Sequence, residues 1–239
     1  MRGWRCPRCT DSPRTHFLQT LMRVECETGS GVAMEKLPQL IEEGLVFFGI
    51  GYDATTADRL VRYVEELGRW NRTMNLVGLK EGERIIVDLL YDAFFLHTRV
   101  AGLNCLLDLG SGAGIVSIPL AILNPGKQIF SLDSSLKKIV FQKAVKRLLG
   151  LAGLAIVHGR AEDMPPLGVE ALVAKAFGPA KAALLKGARH LRQGGSAFLV
   201  KGSQAQAHAQ AGFILEKTEA YRLPGSDKTY RLFLYKKVS

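Results

Sequence analysis

The chain has 239 residues, 47% of them hydrophobic and 23% charged, with a net charge of +10. That length holds one sizeable core and a small appended layer. Its longest near-continuous aliphatic stretch, residues 113–123, is interrupted by Ser117 and Pro119 and falls short of the roughly 20 residues that span a bilayer, which excludes a membrane-spanning protein.

Arg2, Arg5 and Arg8 open the chain without the uninterrupted apolar run of a secretory signal, so the chain reads as cytoplasmic. Cys6-Pro-Arg-Cys9 has metal-knuckle spacing, but only Cys26 and His16 lie near it and no second paired motif completes four ligands. No metal is therefore expected, and the cysteines, Cys105 included, read as reduced thiols. Residues 1–33 are rich in Arg, Thr, Ser and Gly without a sustained period. They read as a disordered leader, or as a start placed too early.

From Met34 the pattern becomes regular. A capping-box-like pair, Thr55 and Asp58, precedes Leu60, Val61, Val64 and Leu67 at helical spacing. Residues 85–100 continue the helical character, giving an N-terminal helical layer over 34–100. From residue 101 onward, short apolar runs alternate with helical segments, which predicts a parallel sheet with crossover helices. Strands are expected at 105–109, 128–132, 155–158, 171–174 and 196–201, with helices at 112–123, 135–149 and 179–190. Residues 213–222 and 229–236 flank Pro224-Gly225 and read as an antiparallel hairpin closing the sheet.

Charge is uneven along this frame: net −3 over 34–100, +7 over 101–200 and +4 over 201–239. The partition fits either a polyanionic partner on one side or a generally basic surface. Lys137, Lys138, Lys143, Lys146 and Arg147 crowd one predicted helix. They read either as phosphate contacts for RNA or as a solvated face.

The chemistry concentrates where Asp108-Leu-Gly110-Ser111-Gly112-Ala-Gly114-Ile115 leaves the first strand. Glycines suit a backbone that turns with positive φ close to a ligand. A tight turn without ligand is the alternative, but Asp133 stands at the end of the next strand, where a carboxylate can accept from two ribose hydroxyls. Together these read as a nucleoside site. A dinucleotide brings a pyrophosphate, which Asp108 would repel, whereas S-adenosylmethionine is cationic and has no phosphate. The cofactor expected is S-adenosylmethionine.

These residues resemble the ribosomal RNA small-subunit methyltransferase G family, also called glucose-inhibited division protein B. The resemblance is carried by Trp70-Asn71, Asn75-Leu76, the 108–115 loop with Ile118-Pro119-Leu120-Ala121, and Leu132-Asp133-Ser134 with Lys137-Lys138 and Phe141. Gly159-Arg160-Ala161-Glu162, Gly194-Gly195 and Val200-Lys201-Gly202 extend it. It implies a class I methyltransferase, a Rossmann-like α/β fold with a mostly parallel seven-stranded sheet, a C-terminal antiparallel hairpin and the helical layer in front. It further implies S-adenosylmethionine as donor and N7 of one guanine in 16S ribosomal RNA as acceptor, met as RNA, 30S subunit or assembly intermediate by a monomeric enzyme.

On that resemblance the cofactor-binding residues are Asp108, Gly110, Ser111, Gly112, Gly114, Ile115, Asp133, Ala161, Glu162 and Lys175. Gly110 and Ile115 would line the methionine part, Asp133 would hold the ribose, and Ala161 and Glu162 would meet the adenine. The chain departs from the family at three places. Lys175 stands where the family has an arginine, Leu89 where it has a histidine, and Met74-Asn-Leu-Val77 where Tyr-Asn-Leu-Thr is usual. Lys175 is also the candidate for orienting the acceptor base, because guanine O6 accepts a hydrogen bond from a cation. No acid or histidine adjoins Lys175 in sequence, so a site without a general base is expected. Two other readings stay open: a diverged methyltransferase for another RNA or a small molecule, and a non-catalytic nucleotide- or RNA-binding module.

Overall fold

The computed structural model describes residues 36–79 and 82–238. The expectations placed on residues 1–33, with Cys6, Cys9 and Cys26, lie outside the described residues. Cys105 is half-buried and carries a free thiol. No helix among the described residues is long and apolar enough to cross a membrane, and no group of three or more His, Cys, Asp or Glu among them could hold a metal ion.

Two helices open the described chain, α1 (Leu37–Phe47) and α2 (Ala54–Met74). The capping box expected at Thr55 and Asp58 is replaced by Asp53, whose Oδ1 accepts the Thr56 N–H at 2.7 Å, so the helix starts before Thr55. Asn75 ends α2 in the left-handed region. The turn beyond it is clamped by Asn71, whose Oδ1 accepts from the amides of Leu76 and Val77 at 2.7 and 2.9 Å. The Asn71 amide meanwhile donates to the Leu79 carbonyl. The helix expected over 85–100 is composite. A short α3 (Gly82–Ile85) runs into a π-turn at Ile86–Leu90 and then α4 (Tyr91–Arg99).

The sheet holds seven strands: β1 (Cys105–Leu109), β2 (Gln128–Asp133), β3 (Leu154–His158), β4 (Val169–Lys175), β5 (Leu191–Gly202), β6 (Phe213–Arg222) and β7 (Thr229–Lys237). Their order is β3-β2-β1-β4-β5-β7-β6. The first five are mutually parallel, with registers such as Leu107↔Phe130 and Lys175↔Val200. β7 enters antiparallel between β5 and β6. The fold is therefore the class I methyltransferase α/β arrangement with its C-terminal hairpin.

The helices between strands are α5 (Ser117–Leu123), α6 (Leu136–Leu149) and α7 (Ala180–Gly187), the last continued by a 3-10 turn at Ala188–His190. The helix expected from residue 112 begins only at Ser117, because Gly112 and Gly114 hold positive φ and residues 112–116 form turns. β5 begins five residues earlier than the expected 196. Its pairing with β4 passes from Val169↔Leu191 to Ala171↔Ser196, so Gly194 and Gly195 lie in a bulge inside the strand and do not precede it.

Each sheet face buries its own core. On one face the helical layer packs through Leu60, Tyr63, Leu67 and Phe94, in one core with Phe141 of α6. On the other, α7 covers Leu107, Leu172, Leu199 and Phe233. Trp70 meets Phe141 edge-on at 5.6 Å, joining α2 to α6. Truncating a buried ring such as Phe141 to alanine costs about 3–5 kcal/mol. The Tyr63 hydroxyl donates to the Ala113 carbonyl at 3.2 Å and so ties the helical layer to the glycine loop.

Candidate functional site: the cleft at the carboxyl ends of β1, β2 and β4

The glycine loop is folded back onto β2. The amides of Gly110 and Ser111 both donate to the Leu132 carbonyl, at 2.9 and 3.0 Å, and Gly112 N–H donates to Asp133 Oδ2 at 2.8 Å. Gly110 has φ +69°, and a Cβ there would stand 2.3 Å from the Phe177 ring. Any side chain at this position is therefore excluded twice, by backbone and by neighbour. The loop is held from below by Gln142, a fully buried side chain of α6. Its Nε2 donates to Ser111 Oγ at 2.9 Å and to the Gly112 carbonyl at 2.7 Å, while its Oε1 accepts from Ser131. Sequence reasoning missed Gln142. Its only local signal is a polar residue on the buried face of an amphipathic helix.

A cleft of about 540 Å³ opens over this loop, lined by Gly110, Asp133, Lys138, Arg160, Ala161, Glu162, Ala176, Phe177 and Lys186 among others. Of the expected cofactor residues it brings together Gly110, Asp133, Ala161 and Glu162. Gly112 adjoins them through its bond to Asp133, whose other oxygen, Oδ1, accepts the Ser135 N–H at 2.8 Å. Each carboxylate oxygen thus keeps one lone pair for a hydroxyl. The Ala161 carbonyl accepts from His190 Nε2 at 2.9 Å, which fixes the 3-10 turn Ala161–Asp163. The opening amides of that turn have no carbonyl behind them within it. Glu162 pairs with Lys186 at 2.6 Å, and that hydrogen bond holds its carboxyl below the usual range.

The remaining expected residues lie elsewhere. Ser111 is buried under Gln142, Gly114 packs on Ile118, and Ile115 is half-buried against the core. Asp108 is 3% exposed and accepts the Ser117 N–H at 3.0 Å, supporting the first turn of α5. Burial pushes its carboxyl up to about 7; the Ser117 hydrogen bonds oppose the rise, the Asp133 charge adds to it, and Lys175 opposes it. Asp108 is not among the cleft-lining residues.

Lys175 is likewise not among the cleft-lining residues, and its partners lie on the helical layer. Its Nζ stands 2.5 Å from Oδ2 of Asp92 on α4, and it donates to the Asp88 carbonyl in the π-turn at 3.3 Å. Asp92 is fully buried, and its other oxygen accepts the Tyr221 hydroxyl at 2.7 Å. The expectation of no acid beside Lys175 is therefore wrong. The acid is Asp92, brought by a helix far away in sequence, while Asp88 contributes only its backbone carbonyl. Asp88 accepts from Lys228 at 2.8 Å and from Ser226 at 3.2 Å, which docks the hairpin turn on the π-turn. Immediately after Lys175, Ala176 adopts φ +57°, a left-handed conformation that costs a non-glycine residue roughly 1–2 kcal/mol. This kink carries Phe177 over Gly110 while Lys175 stays at the strand end.

The basic helix α6 divides by role. Lys137 Nζ donates to the carbonyls of Met74 and Asn75 at 3.0 and 3.2 Å, capping α2. Lys138 lines the cleft over the glycine loop. Lys143, Lys146 and Arg147 line a separate groove of about 450 Å³ with residues 150–152 and Ile156, along β3 at the sheet's outer edge.

These residues fit S-adenosylmethionine. A carboxylate with two remaining lone pairs suits a ribose diol, the amides of Ala161 and Glu162 suit a purine edge, and the glycine floor leaves room above Gly112. The family model for rRNA small subunit methyltransferase G matches residues 56–230. A ribosomal RNA small subunit methyltransferase G from Neisseria meningitidis serogroup A is 31% identical over 207 residues, covering 85% of this chain and all of that protein. The protein of the same name from Bordetella petrii is 30% identical over 190 residues, covering 75% and 74%. Among solved structures the glycopeptide N-methyltransferase MtfA superposes with a TM-score of 0.51 at 12% identity, covering 64% of this chain and 98% of that one, and shares the fold alone. With sheet order, glycine loop and sequence in agreement, the chain belongs to the rRNA small subunit methyltransferase G family of S-adenosylmethionine-dependent methyltransferases.

Proposed function

We propose that this protein methylates N7 of a guanine in 16S ribosomal RNA, acting in the cytoplasm as a monomer on the RNA, the 30S subunit or an assembly intermediate. When bound, S-adenosylmethionine supplies a sulfonium methyl whose carbon accepts the N7 lone pair while the sulfur keeps the electrons of the broken bond. N7 carries an in-plane lone pair at neutral pH, so no proton has to leave it and no general base is required. What the chain must do is position.

In this reading Asp133 holds the ribose, Gly110 and Gly112 form the floor, and the Ala161 and Glu162 amides meet the adenine. Lys175 donates to guanine O6 and leaves N7 toward the methyl. Lys143, Lys146 and Arg147 meet RNA phosphates in the groove beside β3.

The observation that carries the reading is the state of the polar groups at the end of β4. Asp92 is taken up by Lys175 and Tyr221 together, which makes it a counter-ion. It is not a carboxylate poised to remove a proton. An exocyclic amine acceptor must shed a proton in the course of transfer, and N7 has none to shed. Incubating the protein with labelled S-adenosylmethionine and 30S subunits or 16S RNA, then analysing nucleosides by mass spectrometry, tests the proposal. 7-methylguanosine is expected. A different methylated nucleoside, or label appearing only in small-molecule acceptors, refutes the assignment.

A further inference from the structure

The Lys175 ammonium is gripped from two sides, by the Asp92 carboxylate at 2.5 Å and by the Asp88 carbonyl at 3.3 Å. The ion pair and the donation to the Asp88 carbonyl hold the ammonium in place and restrict the direction in which its remaining donors point. Asp92 is itself fixed. It is 0% exposed, and the Tyr221 hydroxyl occupies its second oxygen at 2.7 Å. Tyr221 in turn is stacked face to face between Phe95, at 3.8 Å, and Tyr230, at 5.6 Å.

Three elements therefore meet on one lysine: α4 supplies the acid, β4 the cation, and the hairpin strand β6 the phenol that orients the acid. We infer that Asp92 is a positioning residue, with Tyr221 behind it, that aims the Lys175 ammonium at the acceptor base. The inference rests on the proposed contact between Lys175 and guanine O6 and extends it to the groups that set its direction.

A purely structural role accounts poorly for this arrangement. A buried ion pair contributes little to stability compared with an apolar pair of the same size. This one sits at the carboxyl end of a parallel strand, where α/β sheets place their ligands. Two backbone irregularities converge on the same spot, the π-turn that carries Asp88 and the left-handed Ala176. Such irregularities cluster at functional sites.

The test compares guanine with 2-aminopurine, which keeps N7 but lacks O6, at the methylated position of RNA assembled into 30S subunits. The wild-type protein is expected to prefer guanine by about 10- to 100-fold in kcat/KM, as for a hydrogen bond that selects a base edge. Lys175→Met removes the ammonium and should reduce the preference to that set by N1 alone, which is common to every variant. Asp92→Asn keeps the shape and an acceptor for Tyr221 but removes the charge that holds Lys175. It should reduce the preference to within about threefold of Lys175→Met, while affinity for S-adenosylmethionine, read by calorimetry, stays unchanged. The double variant should be no worse than Lys175→Met.

If Asp92→Asn slows both RNAs equally and keeps the full preference, Asp92 is structural and the inference falls, while the Lys175 contact stands. If the wild-type protein does not distinguish the two bases, the Lys175 contact falls and the inference with it. Should Asp92→Asn fail to fold, Tyr221→Phe decides in its place. It leaves the ion pair but frees one Asp92 oxygen, and it should lower the preference about threefold; an unaltered preference overturns the positioning role.

Discussion

Replacing Asp133 by alanine is the most direct perturbation of the cofactor cleft. The carboxylate makes two contacts within the protein, to Gly112 N–H and Ser135 N–H, both at 2.8 Å. These amides border an open cleft, so water can replace the lost acceptor and the fold should survive. Two charge-assisted hydrogen bonds to a ribose diol disappear. At a net loss of about 1.5–3 kcal/mol, affinity for S-adenosylmethionine should fall about 10- to 150-fold.

Isothermal calorimetry measures the loss, and S-adenosylhomocysteine provides the control. It carries the same ribose without the sulfonium charge. A ribose contact predicts equal losses for both compounds, whereas attraction through space to the sulfonium predicts a larger loss for S-adenosylmethionine. Asp133→Asn should not rescue binding. Its amide turns a donor toward either Gly112 N–H or Ser135 N–H. Equal affinity in variant and wild type would remove Asp133 from the ribose role.

Neutralising Lys143, Lys146 and Arg147 together should weaken RNA binding and flatten its salt dependence by about two to three units of slope. Cofactor affinity should not move, and an unaltered slope in a filter-binding titration returns the groove to ordinary surface. Lys175→Ala should lower turnover more than cofactor binding, and Lys175→Arg should preserve or raise activity, since its planar fork restores the family's residue; steady-state kinetics with 30S subunits reads both. Burial pushes the Asp108 carboxyl up to about 7, well above the usual aspartate range. The native state thus holds a proton that the unfolded state has lost, and stability must decline as pH rises from about 4 to about 7 and level off above. The span is on the order of 4 kcal/mol at most. Asp108→Asn, which can still accept from Ser117, should remove this decline. Denaturation at pH 5 and pH 8 shows it, and an unchanged pH dependence in the variant assigns the decline to other groups.

Much of the fold was legible because it is written locally. The strand boundaries at 105–109 and 213–222 coincide with the expected ones, since turn-forming residues bound each strand, Asn104 and Gly110 about the first and Gly212 and Pro224-Gly225 about the second. Gly112 of the glycine loop and Asp133 at the end of β2 lie 21 residues apart, bridged by a single crossover. The misses have physical causes. Two glycines looked like a strand boundary and are a bulge. Thr55 and Asp58 have the capping-box pattern, but Asp53 reaches the Thr56 amide first. The π-turn has no separate sequence signal, because its residues are as apolar as those of the helix it interrupts.

The acceptor side was illegible for a different reason, and the reason bears on how the family diverges. Lys175 reaches Asp88 across 87 residues and Asp92 reaches Tyr221 across 129. No window of sequence contains both partners of either contact. The glycine loop, by contrast, takes its backbone contacts to Leu132 and Asp133 from the strand that follows it within one βαβ unit. On the acceptor side the requirement is a cation opposite a buried acid, and lysine meets it as arginine would in charge, though with a different reach. Substitution at Lys175 is therefore tolerable only while Asp92 stays charged and Tyr221 holds it. Lys175→Arg in an Asp92→Asn background should accordingly lose the benefit it shows in the wild type, because the guanidinium would then have no carboxylate to receive its fork.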